Sequence, residues 1–569
     1  MFVSAAPLDP DLGPVSCTRD VMRWPTSNIK RMQNPTQALA TVCKAISETD
    51  CLASCFSGVS GDHVSLNMAI PQWERMMAST TLQSCTPIKR PRYIAAVDKD
   101  VECQHELCCL PHGPTNIFSD MKDFGSDELL EKLGMEKEPY CADRIAAMCT
   151  EPGAVKTHAK CIKTNKECTF ERPDGLIAGI PCTDWTLWGK GRRLEGPTAC
   201  VTMITLAFMC LLLPFSIIIE NVWTFDEDVV RRYLGRYYNI EAVVLDNLDF
   251  GLAVRRVRKY VVLTLKTAMT LTRPLTDLTP TFGRKRSAMY NWRSILSASK
   301  AELWSEIFWS QRRTPGERPS VDTCREPTET DFLDALLDTE RDRVKAYLEQ
   351  HDVSECVLSL AQNPEFAKCA SGPEVLHTLV RSVHIQWIPS LGRWMTCREM
   401  LLAQSFPTTN AALASALGLE SSDSVSVLTP LCSFNVSRPR VGLPARQRTA
   451  MAHQAGNTMC TNVCGSVLTW LFLHMKKAHV LQNVPSPLRT SPICGMSYFG
   501  LLRSDAKQFR ESPGADSSPC TSRSLAGTLS RATSSQSLGM DSQEVLALPS
   551  RYSAFKLARM QVLELSEEL

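Results

Sequence analysis

Residues 199–219 read ACVTMITLAFMCLLLPFSIII and contain no charged side chain. A run of this length could span a bilayer, so a membrane helix is one interpretation. Pro214, however, divides the run into a helix-length piece and a short β-rich piece, FSIII, which ends abruptly at Glu220. A buried helix followed by a central parallel strand has this pattern, because such strands are covered on both faces. We therefore predict that the stretch is protein core.

On either side of this stretch, from about residue 50 to 266, short apolar runs alternate with helical stretches. The strand candidates are LASCFSG, RYIAAVD, DGLIAGIP, FSIIIEN, IEAVVLD and KYVVLTL. Strands that alternate with helices imply a mostly parallel sheet joined by crossovers. Several of these strands end in a carboxylate or a glycine turn, and open α/β sheets bind ligands beyond those carboxyl ends. The pattern predicts an α/β fold with its site at that edge.

The composition limits the classes of function. A chain of 569 residues with a net charge of +2 is long enough for several domains and is not a polycation. Any nucleic-acid surface must therefore come from local basic patches. The 24 cysteines are scattered, and the N-terminus lacks the basic start and apolar core of a signal peptide. We therefore expect free thiols in a reducing compartment.

The residues that suggest chemistry lie at the ends of three strands. The stretch DGLIAGIPCTDWT (residues 174–186) runs from a buried strand to Cys182 and so presents a thiol at the carboxyl edge. The next strand delivers Glu220, and the segment VRRVRKYVVL delivers Arg256 and Arg258. A thiol, a carboxylate and guanidinium groups in one place suit nucleophilic attack on a basic heterocycle.

The order of these and further motifs resembles the C5-cytosine-specific DNA methyltransferase family over roughly residues 50–475. The matching stretches are Phe56-Ser57-Gly58-Val59-Ser60-Gly61, Asp98 in AAVDKD, Asp120 in FSDM, Pro181-Cys182, GKGRRLEGPT, Glu220-Asn221-Val222, Arg256 with Arg258, Arg393 to Glu399 (the ninth motif), and Gln454 to Thr458 (the tenth). Each alone is a weak signal, whereas the whole set in one order is specific. The resemblance implies a Rossmann-like domain that binds S-adenosylmethionine, together with a smaller target-recognition domain.

The resemblance also implies a role for each matched residue. Those expected to contact S-adenosylmethionine are Phe56, Ser57, Gly58, Gly61, Asp98, Asp120, Pro181, Asn457 and Thr458. The implied catalytic set is Cys182, Glu220, Arg256 and Arg258. Basic residues expected at the DNA are Lys190, Arg192 and Arg193 in a mobile loop, and Arg284, Lys285 and Arg286 in the recognition region.

The implied reaction explains these residue types. C5 of cytosine is a poor nucleophile, but a thiolate that adds to C6 breaks the aromaticity and makes C5 able to take a methyl group. Cys182 suits this step because a thiolate is accessible near neutral pH when cations lie nearby. Glu220 can donate to ring N3 and accept from the exocyclic amine. The base must first be flipped out of the duplex.

Three positions depart from the family pattern. Thr183 stands where the family usually has a glutamine shortly after the nucleophile, and Val254 replaces a glutamine that often precedes the two arginines. Lys99 replaces an aromatic residue that commonly stacks on the adenine ring. We expect these changes to weaken or retune binding while sparing the nucleophile and the acid.

The motifs divide the chain into segments. We predict a loose N-terminal extension (1–45), a catalytic domain (46–266) with an inserted lobe (about 121–172), a target-recognition domain that includes the ninth motif (267–446), a helix that returns to the catalytic domain (447–480), and a serine-rich disordered tail (481–569). Zinc is an alternative for the lobe, whose candidate ligands are Cys141, Cys149, His158, Cys161 and Cys168. These lack the close Cys-x-x-Cys pairs of a zinc ribbon or finger, so we expect free thiols and no metal.

Three alternatives stay open. One is the same chemistry on RNA, although the Cys-Phe-Thr signature typical of the tRNA-directed branch is not found. Another is a weakly active or inactive DNA-binding relative, although such proteins usually lose the catalytic cysteine or glutamate, and both are present here. The third is a membrane protein. We expect a DNA partner, no membrane and, from the substrate alone, a nuclear location. The sequence identifies neither the recognised DNA site nor a protein partner.

Overall fold

The computed structural model describes residues 11–80, 87–110, 112–186, 191–311, 323–365, 372–380, 385–409, 412, 414 and 452–478. The chain forms two compact units, Met1–Asp505 and Ala506–Leu569, and the second lies outside the described residues. The predicted serine-rich tail lies outside them as well, as does Lys190 of the loop expected to contact DNA.

The described residues contain fourteen strands, seven of which form a central sheet. In chain order the strands are β1 (Cys51–Cys55), β2 (Arg92–Val97), β3 (Asn116–Phe118), β4 (His158–Lys160), β5 (Glu167–Thr169), β6 (Gly175–Ala178), β7 (Ser216–Val222), β8 (Tyr238–Asp246), β9 (Val257–Leu265), β10 (Met269–Leu271), β11 (Leu358–Ser359), β12 (Gln386–Ile388), β13 (Arg393–Trp394) and β14 (Met475–Lys477). The sheet order is β3-β2-β1-β6-β7-β9-β8, and only β9 is antiparallel to its neighbours. The predicted α/β fold with a mostly parallel sheet is confirmed.

Helices precede, follow and connect the strands, and several of them cover the two faces of the central sheet. They are α1 (Thr18–Met22), α2 (Trp24–Lys30), α3 (Pro35–Glu48), α4 (Gly61–Ala78), α5 (Val101–Cys109), α6 (Asp127–Gly134), α7 (Ala142–Cys149), α8 (Thr198–Leu212), α9 (Asp228–Leu234), α10 (Leu278–Phe282), α11 (Lys300–Gln311), α12 (Glu329–Asp334), α13 (Asp338–Gln350), α14 (Cys397–Ala403) and α15 (Thr461–His474). Helices α2, α3, α4 and α15 pack together in one core, and α7, α8 and α9 in the other.

The uncharged run at 199–219 forms α8 and most of β7, with Pro214 between them. Ile218 packs into the core beneath α4 and α15, whereas Ile217 and Ile219 pack into the core beneath α8. Strand β7 is therefore covered on both faces, and the prediction of protein core is confirmed. Within the described ranges, no helix has the length and apolarity needed to cross a membrane.

The N-terminal segment is not the loose extension that the sequence predicts. Helices α1 to α3 are packed into the main core, and Trp24 is only 1% exposed. Its indole fills the space left by Gly465 in α15, where an added Cβ would lie 2.1 Å from Trp24 Cη2. Asn28 Nδ2 also donates to Ser466 Oγ at 2.9 Å. The prediction was wrong because the partner of this segment, α15, lies far along the chain. Asn28 and Ser466, for example, are 438 residues apart.

The inserted lobe consists of α6, α7 and a hairpin of β4 and β5. It contacts the loop expected to lie at the DNA, since the Tyr140 N–H donates to the Glu195 carbonyl at 3.0 Å and Arg192 is ion-paired with Glu138. In the described part of the chain, no three His, Cys, Asp or Glu side chains are grouped so that they could hold a metal ion.

A separate hydrophobic core defines the smaller domain. It is formed by α11, α12, α13 and β11 to β13, and it includes Trp387 and Trp394. The segment 269–282 lies in the catalytic core instead, because β10 pairs with β14 and α10 packs against α15. The boundary predicted at residue 267 is therefore too early.

The ninth motif connects this domain to the rest through Glu399, which is fully buried. Its carboxylate accepts hydrogen bonds from the Arg393 guanidinium at 3.0 and 3.1 Å and from the N–H groups of Ser297 and Ala298 at 2.8 and 2.9 Å. A buried carboxylate is stable only when it is paired in this way, so Glu399 fixes the path of three segments.

Candidate active site

The adjacent strands β6 and β7 carry Cys182 and Glu220 to one edge of the sheet. Ala178 pairs with Ile219 in a parallel register, so the two strands end side by side. The thiol follows β6 after a short turn, and the carboxylate of Glu220 lies near the end of β7, two residues before Val222. The two groups therefore share the carboxyl edge that the sequence predicts as the site.

Asn221 fixes the turn that carries the thiol. Its Nδ2 atom donates to the Ile180 carbonyl at 3.1 Å, and its Oδ1 atom accepts from the Val222 N–H at 2.8 Å. Pro181 and Cys182 are both half-buried directly after this bridge. The amide of Asn221 thus links β7 to the segment that follows β6 and restricts the position of the Cys182 sulfur.

Arg258 meets Glu220 because β9 runs antiparallel to β7 and begins where β7 ends. Arg258 Nε lies 3.1 Å from Glu220 Oε1, and the side chains are 15% and 12% exposed. At this burial water screens the pair only weakly, so each charge acts strongly on neighbouring groups.

The pKa of the Cys182 thiol is raised from its ordinary value, mainly by burial. Arg258 and Arg256 lower this pKa, whereas the negative charge of Glu220 raises it. Any event that neutralises Glu220, such as sharing a proton with a bound base, therefore favours the Cys182 thiolate. The thiol and the carboxyl group are coupled, so the nucleophile is favoured when a substrate occupies the site.

The side chain of Arg256 forms its hydrogen bonds with backbone carbonyls. Its guanidinium is directed to backbone carbonyls, those of Leu379 and Gly456 at 3.1 and 3.2 Å and that of Thr458 at 2.7 Å. The side chain is buried, which lowers its pKa to about 10 and leaves it cationic at neutral pH. Arg256 holds the returning segment and the recognition domain against β9. The resemblance implies that Arg256 belongs to the catalytic set and orients Glu220 and the base. These contacts show that it positions the two segments, and its catalytic role stays a prediction.

The predicted cofactor residues converge at the ends of β1 and β2. The Gly58 N–H donates to Asp98 Oδ2 at 2.6 Å, and the Ser57 N–H donates to the Val97 carbonyl at 3.1 Å. Phe56 and Gly58 both have positive φ, at 56° and 53°. This left-handed geometry turns the chain sharply after β1 and is easily adopted only by glycine.

The segment with Asn457 and Thr458 closes against this loop. An added Cβ on Gly61 would lie 2.6 Å from the Met459 carbonyl oxygen, so only glycine allows the backbones to approach this closely. The Asn457 carbonyl lies opposite Gly58, at 3.8 Å from the position that a Cβ would occupy. Residues some 400 positions apart thus form one side of the expected cofactor site.

Lys99 and Asp120 lie together at the far side of this edge. Lys99 Nζ is 3.7 Å from Asp120 Oδ2, and the lysine side chain is 84% exposed. Asp120 also accepts from the Lys122 N–H at 3.0 Å. The departure from the aromatic residue therefore places a cation beside the carboxylate expected at the adenine. Of the other departures, Val254 is buried and Thr183 is exposed.

Two of the basic residues expected at DNA in the recognition region have partners within the protein. The Arg284 guanidinium is buried and donates to the carbonyls of Asp20 and Gly13 at 2.9 and 3.1 Å. Arg286 is ion-paired with Glu374 at 2.7 Å. The buried Arg284 therefore holds the N-terminal segment in place instead of facing outward, whereas a DNA contact by Arg286 stays a prediction. Lys285, between them, is exposed.

In the catalytic loop Arg193 is exposed, whereas Arg192 is half-buried beside the inserted lobe. The sequence gives no sign of Asp184, which closes this loop. Asp184 is 4% exposed, and its Oδ2 atom accepts from the Thr198 N–H at 2.9 Å and from Thr198 Oγ1 at 2.7 Å. A Cβ on Gly196 would overlap this carboxyl group. The hydrogen bonds between Asp184 and Thr198, which lie at the two ends of the loop, are what identify Asp184 as the residue that closes it.

Comparison with known proteins gives one family match. Residues 150–417 match the family model described as C-5 cytosine-specific DNA methylase. This span includes the thiol, Glu220, Arg258 and the ninth motif. No curated protein matches the chain in sequence.

Several solved structures resemble the chain. The Dnmt2 methyltransferase of S. pombe is 15% identical, with 74% of this chain and 97% of that one covered and a TM-score of 0.38. A protein encoded within an E. coli prophage and described as a DNA modification methyltransferase is 13% identical, with 74% and 99% covered and a TM-score of 0.38. The Entamoeba histolytica methyltransferase EhMeth is 12% identical, with 75% and 98% covered and a TM-score of 0.35.

Proposed function

We propose, from the premise that residues 150–417 belong to the C-5 cytosine-specific DNA methylase family, that the protein transfers a methyl group from S-adenosylmethionine to C5 of a cytosine flipped out of DNA. The observation that carries the proposal is the meeting of three groups from three strands. A half-buried Cys182 thiol lies at the edge where Arg258 and Glu220 form a 3.1 Å ion pair.

Cys182 is the nucleophile in this proposal. Its sulfur forms a bond to C6 of cytosine, and the electron pair of the C5–C6 double bond is delivered from C5 to the methyl carbon. The C5 proton then leaves to a base, the C5–H pair restores the double bond, and the S–C6 pair returns to Cys182. When bound, S-adenosylmethionine would supply the electrophilic methyl group, and the electron pair of the broken methyl–sulfur bond would stay on the sulfur of S-adenosylhomocysteine.

Glu220 and Arg258 act on the opposite edge of the ring. A protonated Glu220 donates to N3 and accepts from the exocyclic amine, which offsets charge that builds on the ring as the sulfur adds. Arg258 holds the Glu220 carboxyl in place and favours the Cys182 thiolate by its charge. Removal of either group would therefore affect the addition step more than binding of the duplex.

The residues at the ends of β1 and β2 fit a cofactor of this kind. Gly58 adopts a left-handed turn and Gly61 allows the Met459 backbone to approach closely, so the loop stays compact where a ligand would meet it. Asp98 follows β2 with a carboxylate suited to ribose hydroxyls. Ser60 Oγ and Asp62 Oδ2 are buried beside the loop without a hydrogen-bond partner among the described residues. Polar atoms of this kind are consistent with a site that binds a polar ligand.

The test is methyl transfer from labelled S-adenosylmethionine to a cytosine-containing duplex, with tRNA as a second substrate. Wild type should label the duplex, Cys182→Ala should not, and the half-buried Cys168→Ala in the inserted lobe should match wild type. A duplex with 5-fluorocytosine should trap wild type covalently, because its C5 carries no removable proton. Labelling of tRNA alone would refute the DNA substrate, and an adduct that survives Cys182→Ala would refute the nucleophile.

A further inference from the structure

Trp223 differs from the other tryptophans in its exposure. Of the 11 tryptophans in the chain, ten lie in described residues, and all of these except Trp223 are at most 4% exposed. Trp223 is 43% exposed. Exposure of so large an apolar ring is unfavourable in water, and tryptophan gains most where one face of the ring contacts a partner.

A rigid turn directs this indole outward. The Phe225 N–H donates to the Val222 carbonyl at 2.9 Å, and Lys259 Nζ donates to the Phe225 carbonyl at 2.7 Å. The Phe225 ring is fully buried and packs edge-to-face on Trp185 at 5.0 Å. Thr224 Oγ1 donates to the Trp185 carbonyl. With its neighbours held on both sides, Trp223 is presented without further ordering of the backbone.

The position of the turn places Trp223 at the entrance of the candidate site. It follows Val222, the residue paired with Arg258, and it is three positions after Glu220. The Arg255 side chain at the same edge is 54% exposed, with its Nε atom 3.7 Å from Asp246 Oδ2, so its guanidinium still faces water on one side. The apolar residues next to it in the chain, Val222 and Phe225, are both buried, so within this turn the indole is the one exposed apolar ring. This arrangement suits a flat aromatic ligand near phosphates better than a protein interface.

We propose that Trp223 stacks on a base of the DNA next to the flipped cytosine, an inference that rests on the proposed function. Removal of one base from a duplex exposes the faces of its neighbours, and an aromatic side chain can replace the lost stacking. Trp223 is therefore a substrate-binding residue that lowers the cost of flipping. Every base has a π-face, so the contact adds affinity without setting the recognised sequence.

The test compares Trp223→Ala and Trp223→Phe with wild type for binding to a duplex that carries a mispaired target cytosine. Trp223→Ala should weaken binding roughly 5- to 100-fold, as expected for loss of one stacked base, and Trp223→Phe should retain most of the affinity. Met135→Ala, a change at a 68% exposed apolar residue in the inserted lobe, should bind as wild type does. Binding of S-adenosylhomocysteine should be unchanged in all three variants.

Salt dependence separates stacking from phosphate contact. Loss of a phosphate contact reduces the slope of log K against log salt by about one, whereas loss of stacking leaves it unchanged. Equal affinity of wild type and Trp223→Ala, or a reduced slope in Trp223→Ala, would overturn the inference while wild type still methylates DNA. A wild type that neither binds nor methylates DNA would overturn the proposed function and the inference together.

Discussion

Asp62→Asn should stabilise the protein at pH 8 and remove a large part of its pH dependence. Asp62 lies in the first turn of α4, is 2% exposed, and has no hydrogen-bond partner for Oδ2 among the described residues. Burial raises the pKa of this carboxyl from 3.8 to about 7, against a smaller lowering by the N–H groups of His63 and Asp62 itself. The titratable group that faces it from α15 is the Cys464 thiol, whose pKa burial and the Asp62 charge raise well above its ordinary value.

The sign and size of the effect follow from the shift. Because the folded state holds the Asp62 proton more tightly than the unfolded chain, the contribution of Asp62 to stability is present below about pH 4 and is lost as the pH rises through 7. The loss amounts to about 1.4 kcal/mol per pH unit in that window, or on the order of 4 kcal/mol in all. Asparagine is never ionised, so the variant avoids the loss. Cys464 does not titrate in this range.

The assay is urea unfolding of both proteins at pH 5, 6, 7 and 8, followed by circular dichroism. The difference in unfolding free energy between Asp62→Asn and wild type should grow in favour of asparagine by about 1.4 kcal/mol per unit up to pH 7 and then level off. Cys464→Ala is the matched control. It should lower stability at every pH through the cavity that it leaves, without flattening the wild-type dependence.

A difference between Asp62→Asn and wild type that is the same at all four pH values would refute the reasoning. It would mean that Asp62 is solvated or paired in the folded protein. A growing advantage of wild type with pH would refute it too, since the ionised form would then be the stabilised one. Unequal m-values would indicate an altered unfolding reaction, and thermal midpoints over the same pH series would then decide.

Three further predictions concern other contacts. Arg256→Met should weaken S-adenosylhomocysteine binding at least tenfold, because three carbonyls lose their donor, and Arg256→Lys should recover part of the affinity. Calorimetric titration measures the affinity, and an unchanged value in Arg256→Met would contradict the positioning role. Gly465→Ala should cost about 1 to 3 kcal/mol of stability, since its Cβ would overlap Trp24; a neutral result in thermal unfolding would mean that the N-terminal helices do not pack as described. Glu220→Gln should reduce single-turnover methyl transfer at least 100-fold while duplex affinity changes little; a matching loss of affinity would show that Glu220 mainly binds.

The strands were predictable because their signal is local. Several central strands are short apolar runs closed by a carboxylate or a glycine, and burial on both faces favours that composition. The same holds for Cys182 and Glu220, which stand at strand ends and so reach the edge of the sheet whatever the connecting segments do. Strand β3 was missed because only three residues, Asn116–Phe118, pair with its neighbour.

The remaining features depend on partners far along the chain. Helix α2 is buried all round by α4 and α15, so its sequence shows no clear apolar stripe. The charge of Arg284 and Arg286 is visible in the sequence, whereas the groups that they meet, at Asp20 and Glu374, are not. The same holds for Arg256, because its family position suggests a role beside Glu220 while its hydrogen-bond partners are carbonyls 123 to 202 residues away. A sequence pattern gives the chemical type of a side chain more readily than its direction.

The contact between the glycine-rich loop and the returning segment also fixes when the protein can finish folding. Ser65 Oγ donates to the Thr461 carbonyl across 396 residues, so the two sides of this contact leave the ribosome about 20 to 80 s apart. During that interval the faces of α2 and α4 that later meet α15 have no cover, with Trp24 and Trp73 among the side chains in that core. Exposed apolar faces of this kind bind chaperones, and we expect the nascent chain to need them until α15 emerges. Truncations that end before residue 461 should accumulate as aggregates and not as a smaller enzyme.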